Sequence, residues 1–319
     1  MTQPIFIFSL PRSGSTLLQR ILMNSGQATS LGETSLLLRL LGEGDLAARR
    51  AVYGESLVNA AIRKMKRHWP GYPNAYREGV RHLMLNIYAG LAGESPCFID
   101  KTPRYSLIAE KIYQTFPDAK FIVLMRHPLA IAASMYSTSK LGFWFPEEYS
   151  IDLYQGYTLL HQFTQNRKEK IHLVRYEDLV TNPAGELESI GKYLDWTDLP
   201  AALEKPLPPI ADGDRDDHRE TFSAMSAESV NRWERFYNNF YRKNWAKEYI
   251  NKERAEIMAT YGYELPKCIS KSSLGGWFSG MKDRRLASRH RKERITEPQW
   301  LQRSLEYYQL THDIDVIWR

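Results

Sequence analysis

The stretch PIFIFSLPRSGSTLLQRIL, residues 4–22, decides the fold of this chain. Its first six residues are mostly apolar and include β-branched and aromatic side chains, which predicts a buried strand. From Leu17 onward, leucine and isoleucine recur at the spacing of a helix that buries one face. A polar loop, Pro11-Arg-Ser-Gly-Ser-Thr16, joins the two segments. The stretch therefore predicts a strand, a tight loop and a helix in direct succession.

Three further apolar runs lie downstream and lack the polar alternation of a half-exposed strand: CFID (97–100), FIVLM (121–125) and IHLV (171–174). Segments of helical pattern separate them, among them KTPRYSLIAEKIYQTF (101–116). Buried strands that alternate with helices are typical of a parallel sheet covered on both faces. The sequence thus predicts an α/β, P-loop-containing three-layer fold, with a central parallel sheet flanked by helices.

The composition is that of an ordinary folded protein: 319 residues, 43% hydrophobic, 25% charged, with a net charge of +6. After about residue 265 the sequence becomes rich in glycine and serine and then strongly basic. We expect one domain over 1–265, followed by a basic linker and a C-terminal helical extension over 266–319. Residues 298–308 have the pattern of an amphipathic helix, which suits either a contact with a second copy in a homo-oligomer or packing on its own domain.

The spacing of the cysteines and the length of the apolar runs indicate the cellular compartment. The two cysteines, Cys97 and Cys268, have neither metal-ligand nor disulfide-framework spacing. No apolar run approaches the ~20 residues that span a bilayer. We therefore expect a cytoplasmic protein without a transmembrane segment, in which Cys97 is a small buried apolar side chain.

Polar clusters stand where the predicted strands end: residues 11–16, 100–104, 126–127 and 175–178. In parallel sheets, ligands bind beyond the carboxyl ends of the strands. The first cluster opens a helix, where backbone N–H groups and the helix dipole favour an anion. Its serines and Arg12 add further donors. An alternative interpretation is a polar turn whose serine caps the helix.

The loop lacks the Gly-Lys pair of GxxxxGK[ST], which argues against an ordinary nucleotide kinase or NTPase. Such an enzyme would also need an acidic partner for magnesium near a strand end, whereas the strand 121–125 is followed by Arg126. A second alternative is that the basic segment 267–294 binds an anionic polymer or a membrane surface. With so modest a net charge, we expect no nucleic-acid partner.

Four motifs in order, PRSGST, FIDKTPRYSL, FIVLMRHPLAIAASMY and RYEDLVTNP, resemble the sulfotransferases that use 3′-phosphoadenosine 5′-phosphosulfate (PAPS). They are closest to the tyrosylprotein sulfotransferases and related bacterial enzymes, and the resemblance covers roughly residues 4–265. It implies transfer of a sulfuryl group from PAPS to an acceptor hydroxyl by in-line attack with a general base, with PAP (3′-phosphoadenosine 5′-phosphate) as the product. No metal is expected. The acceptor stays open between a small molecule, a saccharide and a peptidyl-tyrosine.

The resemblance also implies roles for individual residues. It assigns the 5′-phosphosulfate to Arg12, Ser13, Gly14, Ser15 and Thr16, and the 3′-phosphate to Arg126 and Ser134. Tyr176 matches a tyrosine that contacts the donor, and Lys101 a catalytic lysine. Arg12 is expected to act in catalysis as well as in binding. From the residues alone, Tyr176 could equally be a packed aromatic. The less favoured alternatives are a small helix-packing residue for Ser134 and a solvated strand-end lysine for Lys101. Asp100 is expected to orient Lys101 or the loop, and His127 to be structural.

Two residues are candidates for the general base. Glu33, in Leu-Gly-Glu-Thr, resembles the Gly-Glu-Glu-Thr context of the tyrosylprotein enzymes, although one glutamate and a flanking arginine are missing. Its alternative role is a carboxylate facing a helix N-terminus. His218 lies in the charged stretch 211–223, which we interpret as a flap, and some related bacterial enzymes use a histidine in this part of the domain. The aromatic segment 141–149 is either a dock for an apolar acceptor or part of the core.

Overall fold

A computed structural model describes residues 2–41, 64–139, 141–208, 230–270 and 276–295. Its centre is a parallel five-stranded sheet in the order β2-β3-β1-β4-β5. The strands are β1 (Gln3–Ser9), β2 (Ala28–Thr29), β3 (Cys97–Asp100), β4 (Lys120–Met125) and β5 (His172–Arg175). The predicted α/β fold with a parallel sheet and the four predicted strands are confirmed. The polar clusters at the strand ends consequently lie along one edge of the sheet.

Helices cover both faces of the sheet. They are α1 (Ser15–Asn24), α2 (Leu36–Leu41), α3 (Tyr72–Ala92), α4 (Ala109–Thr115), α5 (Pro128–Thr138), α6 (Tyr157–Asn166), α7 (Tyr176–Thr181), α8 (Pro183–Leu194), α9 (Phe240–Tyr249), α10 (Lys252–Thr260), α11 (Lys267–Ser270) and α12 (Trp277–Ile295). Short 3₁₀ turns span Pro103–Leu107, Pro146–Tyr149, Leu199–Leu203 and Arg232–Phe236, and a π-helical segment spans Ile151–Gly156.

The helix predicted over 101–116 is wrong in its first half. The chain makes a 3₁₀ turn over Pro103–Leu107, leaves helical geometry at Ile108 and begins α4 only at Ala109. The physical reason is Tyr105, whose ring is fully buried and whose hydroxyl reaches Asp100 at 3.2 Å. A tighter turn directly after β3 lets this side chain point back under the strand end.

The two faces of β1 are chemically different. Phe6 and Phe8 enter an aromatic core, where Phe6 stacks on Phe121 at 5.5 Å and Phe8 meets Phe163 edge-on at 5.3 Å. Ile5 and Ile7 enter an aliphatic core on the other face, together with the buried side of α1. Because successive strand residues point to opposite faces, the alternating Ile-Phe-Ile-Phe sequence fills both cores at once. This double burial fixes the strand that carries the polar loop.

The described part of the basic extension packs on the domain through α12. Gly280 faces the Phe240 ring so closely that an added Cβ would stand 2.6 Å from it. Asp283 is buried and accepts hydrogen bonds from Arg242 Nε (2.7 Å), Asn239 Nδ2 (3.1 Å) and the backbone N–H of Trp144 (3.4 Å). The domain boundary at residue 265 stays a prediction, and the helix predicted over 298–308 lies outside the described residues.

The aromatic segment 141–149 contributes to the core. Trp144 is fully buried against Phe236 (5.2 Å) and Trp245 (4.9 Å), and Phe145 is buried as well. The packing supports the interpretation of these two rings as core, not as a dock for an acceptor. Cys97 is buried in the aliphatic core, as predicted.

Replacing Asp283 by alanine should destabilise the fold strongly. The side chains of Arg242 and Asp283 are only 11% and 5% exposed, so the variant leaves a buried guanidinium without its carboxylate. Removing one member of a buried ion pair costs about 3 kcal/mol or more. The measurement is the shift in urea unfolding midpoint. The matched control is Asp118→Ala, which removes an 81%-exposed carboxylate from Arg81 and should cost about 1 kcal/mol at most. Equal shifts for the two variants would contradict the assignment.

Candidate active site

The loop between β1 and α1 has the geometry of an anion cradle. Gly14 is the N-cap residue of α1, at φ +92°, and no side chain of the described residues caps the helix. The predicted alternative, a serine that caps the helix, is therefore not what the structure has. The Ser13 hydroxyl is buried and lacks a hydrogen-bond partner within the described chain. The first N–H groups of a helix have no intrahelical acceptor, so this loop offers several donors to one ligand.

The loop holds two residues in strained or restricted backbone. Arg12 has φ +66°, a left-handed conformation that costs a non-glycine residue free energy. At Gly14 a Cβ would lie 2.5 Å from Cδ2 of Tyr176, besides the unfavourable φ. Only glycine fits at this position. The conformation of the loop is thus specified by its contacts with the start of α7.

Lys101 lies at the end of β3 and is fully buried. Its ammonium donates to Thr16 Oγ1 at 3.2 Å and to Glu33 Oε1 at 3.0 Å. The alternative of a solvated lysine is therefore wrong. The Glu33 side chain is 43% exposed, so the carboxylate faces both the ammonium and solvent. Lys101 and Glu33, predicted from separate motifs, therefore meet at the end of the loop over residues 11–16, which we call the anion loop.

A second group of cations meets at Arg12, near the start of the loop. Arg126 Nη1 donates to the carbonyl of Arg12 at 2.8 Å, and Arg12 Nε donates to Ser134 Oγ at 3.3 Å. The Arg126 guanidinium lies 4.1 Å from the centre of the Tyr176 ring. Burial lowers the pKa of Arg126, and its Nε has no hydrogen-bond partner among the described residues. Two guanidinium groups linked through these contacts favour an anion beside them.

Asp100 organises the segment that carries Glu33. This fully buried carboxylate accepts hydrogen bonds from Tyr88 (2.5 Å), Tyr105 (3.2 Å) and Thr34 Oγ1 (2.8 Å). Burial raises the pKa of Asp100, and the hydrogen bonds oppose that rise. These hydrogen bonds reach neither Lys101 nor the loop over 11–16, which Asp100 was expected to orient; they hold the segment that precedes α2.

The family model of the sulfotransferase family matches residues 4–200. This chain belongs to the sulfotransferase family.

Two relatives show how far the likeness extends. The chain is 33% identical over 137 residues to the nodulation protein NoeE of Sinorhizobium fredii, a match that covers 42% of this chain and 31% of NoeE. It is 24% identical over 201 residues to the protein-tyrosine sulfotransferase of Drosophila melanogaster, covering 61% of this chain and 38% of that protein. The matched region thus spans about a third of the length of each of these two relatives.

Two solved structures share the fold. The sulfotransferase domain from the curacin biosynthetic pathway superposes with a TM-score of 0.56 at 20% identity, over 83% of this chain and 99% of that domain. The sulfotransferase domain of the Synechococcus PCC 7002 olefin synthase superposes with a TM-score of 0.51 at 20% identity, over 83% of this chain and 96% of that domain. Both support the fold that the strands and helices establish here.

Further hydrogen bonds fix the Glu33 segment of the chain from two sides. Buried Gln19, on α1, donates to Ser30 Oγ at 2.5 Å, and Ser30 Oγ donates to the carbonyl of Ile99 at 2.7 Å. The backbone N–H of Ser35 donates to Thr102 Oγ1 at 3.0 Å. The segment is consequently tied both to the helix that follows the anion loop and to the strand that ends in Asp100.

Sequence reasoning missed Thr34, Tyr88 and Tyr105 as members of the site. Tyr105 follows Lys101 by four residues and could have been noticed as a polar group near a strand end. Thr34 adjoins the proposed base. Tyr88 lies on α3 among apolar residues and looks like an ordinary core aromatic, so no local signal marks it.

The predicted structural role of His127 agrees with its contacts. His127 is the N-cap of α5: its Nδ1 accepts from the backbone N–H of Leu129 at 3.2 Å, and its Nε2 lies 3.0 Å from the carbonyl of Glu264. Burial lowers the pKa of His127 to about 4. The ring is therefore neutral near pH 7 and can donate from Nε2. The rival base, His218, lies outside the described residues.

The described ranges lack both a metal-binding cluster and a membrane-spanning helix. No group of three or more His, Cys, Asp or Glu side chains there is arranged to hold a metal ion. None of the helices found in those ranges is both long and apolar enough to cross a bilayer.

Replacing Thr34 by valine should loosen the Glu33 segment. The change keeps the side-chain shape and removes the hydrogen bond to the Asp100 carboxylate, a contact to a charged group worth about 1.5 kcal/mol. We expect amide hydrogen exchange of Ser35 and its neighbours to become roughly tenfold faster. The control is Thr260→Val, which removes a hydroxyl bonded to a carbonyl of its own helix. Unchanged exchange around Ser35 would show that Asp100 does not hold this segment.

Proposed function

We propose that this sulfotransferase moves a sulfuryl group from PAPS to an acceptor hydroxyl. The observation that carries the proposal is the contact of one buried ammonium, Lys101 Nζ, with both Thr16 on the anion loop and the Glu33 carboxylate. A cation for the leaving group and a base for the attacking group then flank the same point. Sulfuryl transfer requires this pair together with in-line geometry.

The residues present fit a donor with two separate anionic ends. The loop supplies helix N-terminal N–H groups and the buried Ser13 hydroxyl, which suit the 5′-phosphosulfate. Arg126 and Ser134, joined through Arg12, suit the 3′-phosphate. Tyr176 packs between Gly14 and Arg126, so one aromatic ring sets the spacing of the two anion sites. Its contacts support both of the roles considered for it, a packed aromatic and a side chain next to the donor.

The donor supplies an activated sulfuryl group on a phosphate leaving group. In the proposed mechanism Glu33 takes the proton of the acceptor hydroxyl while a bond forms from that oxygen to sulfur. The bond from sulfur to the bridging phosphate oxygen breaks, and its electron pair stays on the phosphate of PAP. Lys101 and Arg12 neutralise the negative charge that develops there. The water-exposed part of Glu33 leaves access for the acceptor.

We assign the base to Glu33 because it is hydrogen-bonded within the site, with His218 as the alternative. The acceptor classes remain a small-molecule alcohol, a saccharide or a peptidyl-tyrosine; the relative from Drosophila melanogaster is named for protein tyrosine. A nucleotide-kinase function has less support, since Arg126 and not an acidic residue follows β4. A cytoplasmic location and a homo-oligomer formed through the extension stay predictions.

Binding of PAP should depend on both arginines. We expect wild type to bind PAP in titration calorimetry, and Arg12→Ala and Arg126→Ala to bind at least about tenfold more weakly, since each loses a charge-assisted contact to a phosphate. The control is Arg81→Ala, which breaks a surface ion pair with Asp118 and should bind as wild type does. The donor assignment fails when wild type does not bind PAP, or when all four proteins bind it equally.

Turnover should depend on the Glu33 carboxylate. We expect Glu33→Gln to lower kcat by about a hundredfold or more, as for loss of a general base, with PAP binding retained. The assay uses labelled PAPS and a panel of tyrosyl peptides, saccharides and aliphatic alcohols, with His218→Ala measured in parallel. Full turnover in Glu33→Gln would exclude this residue as the base, and its loss in His218→Ala alone would assign the base to His218.

A further inference from the structure

Helix α12 presents an unusual outer surface. At its N-terminal end, Trp277, Phe278 and Met281 are 56%, 82% and 41% exposed. Large apolar side chains this exposed, three in a group, are uncommon on a surface that contacts only water. They lie on adjacent turns of one helix, so they form one continuous apolar group.

Cations continue the same surface toward the C-terminal end. Lys282, Arg285 and Lys292 are exposed and, at helical spacing, fall on the side of α12 that bears Phe278 and Met281. The one acidic residue between 277 and 292 is Asp283, which points the other way into the core and is paired with Arg242. We call the set Trp277, Phe278, Met281, Lys282, Arg285 and Lys292 the basic-aromatic face.

The opposite side of α12 anchors the helix. Gly280, Asp283 and Ala287 are buried against the domain, and Arg291 pairs with Glu147 near the end of the helix. Packing of α12 against α9 therefore holds the basic-aromatic face outward. A rigidly held face loses little conformational entropy when it meets a flat partner.

We propose that the basic-aromatic face docks on the surface of an anionic lipid bilayer. Aromatic and Met side chains enter the headgroup region, and Lys and Arg beside them attract acidic headgroups. Charge complementarity selects an anionic partner, and the continuous apolar group selects one with an apolar interior. Single-stranded nucleic acid would instead favour aromatic rings interleaved with the cations along a groove. The function is retention of the enzyme at a membrane surface, in addition to sulfuryl transfer.

The test is flotation of the 319-residue chain with vesicles of phosphatidylcholine alone or with about 30 mol% phosphatidylglycerol. We expect wild type to float with the anionic vesicles at low salt and to be released at high salt. Trp277→Ser/Phe278→Ser and, separately, Arg285→Glu/Lys292→Glu should each weaken partition by about tenfold or more. Matching melting temperatures for wild type and variants verify the fold.

Matched controls carry the same chemical changes elsewhere on the surface. Leu83→Ser/Leu91→Ser removes two exposed apolar side chains, and Lys168→Glu/Lys192→Glu reverses two exposed charges. Both should float as wild type does. The proposal is overturned if wild type does not bind anionic vesicles, or if the variants of the basic-aromatic face float as well as the controls. It is equally overturned if the face variants lose binding to an oligonucleotide or to a second copy of the chain while wild type ignores vesicles.

Discussion

The burial of a single ammonium group, that of Lys101, constrains the whole candidate active site. A lysine without solvent contact must be paired, because an isolated buried charge is costly. Its partners come from two different connections, Thr16 after β1 and Glu33 after β2. Satisfying one charge therefore brings the anion loop and the candidate base to the same strand end. The parallel sheet makes this possible, because the carboxyl ends of β1, β2 and β3 lie side by side.

The residue before Lys101 imposes a second and opposite requirement. Asp100 is also buried, and its carboxylate collects three hydroxyl donors. Adjacent strand residues point to opposite faces, so one strand end directs an anion into the aromatic core and a cation into the site. Thr34 is bonded to the first group and its neighbour Glu33 to the second. The two buried charges together define both the position and the orientation of the segment that carries the base.

Sequence alone predicted the sheet and placed the candidate site at the strand ends, because apolar runs and strand-to-helix loops are local signals. It also named residues that the fold brings into contact across long separations, such as Arg12 and Ser134. It missed the hydrogen bonds to Asp100. Tyr88 has the sequence context of a core aromatic, and Thr34 is separated from Asp100 by 66 positions in the sequence. The helix predicted over 101–116 was wrong in its first half because Tyr105 turns inward to the buried Asp100 carboxylate. Hydrophobic periodicity carries no signal for such a contact. The ion pair of Asp283 with Arg242 could not be predicted either, because Asp283 is a single acidic residue within a basic segment and its partner is distant in sequence.

The packing around Tyr176 bears on which nucleotides the site can favour. The ring touches Gly14 on one side and the Arg126 guanidinium on the other, so the two proposed anion positions are held at one spacing before any ligand arrives. A preorganised pair of sites binds more tightly a ligand that fills both. Filling only one leaves a buried donor such as Ser13 Oγ or Arg126 Nε without a hydrogen bond. A nucleotide with a single polyphosphate chain fills the loop alone. For the proposed donor PAPS, we therefore expect the 3′-phosphate to contribute strongly to affinity, and selectivity for a 3′,5′-substituted adenosine to originate in the rigidity of this ring.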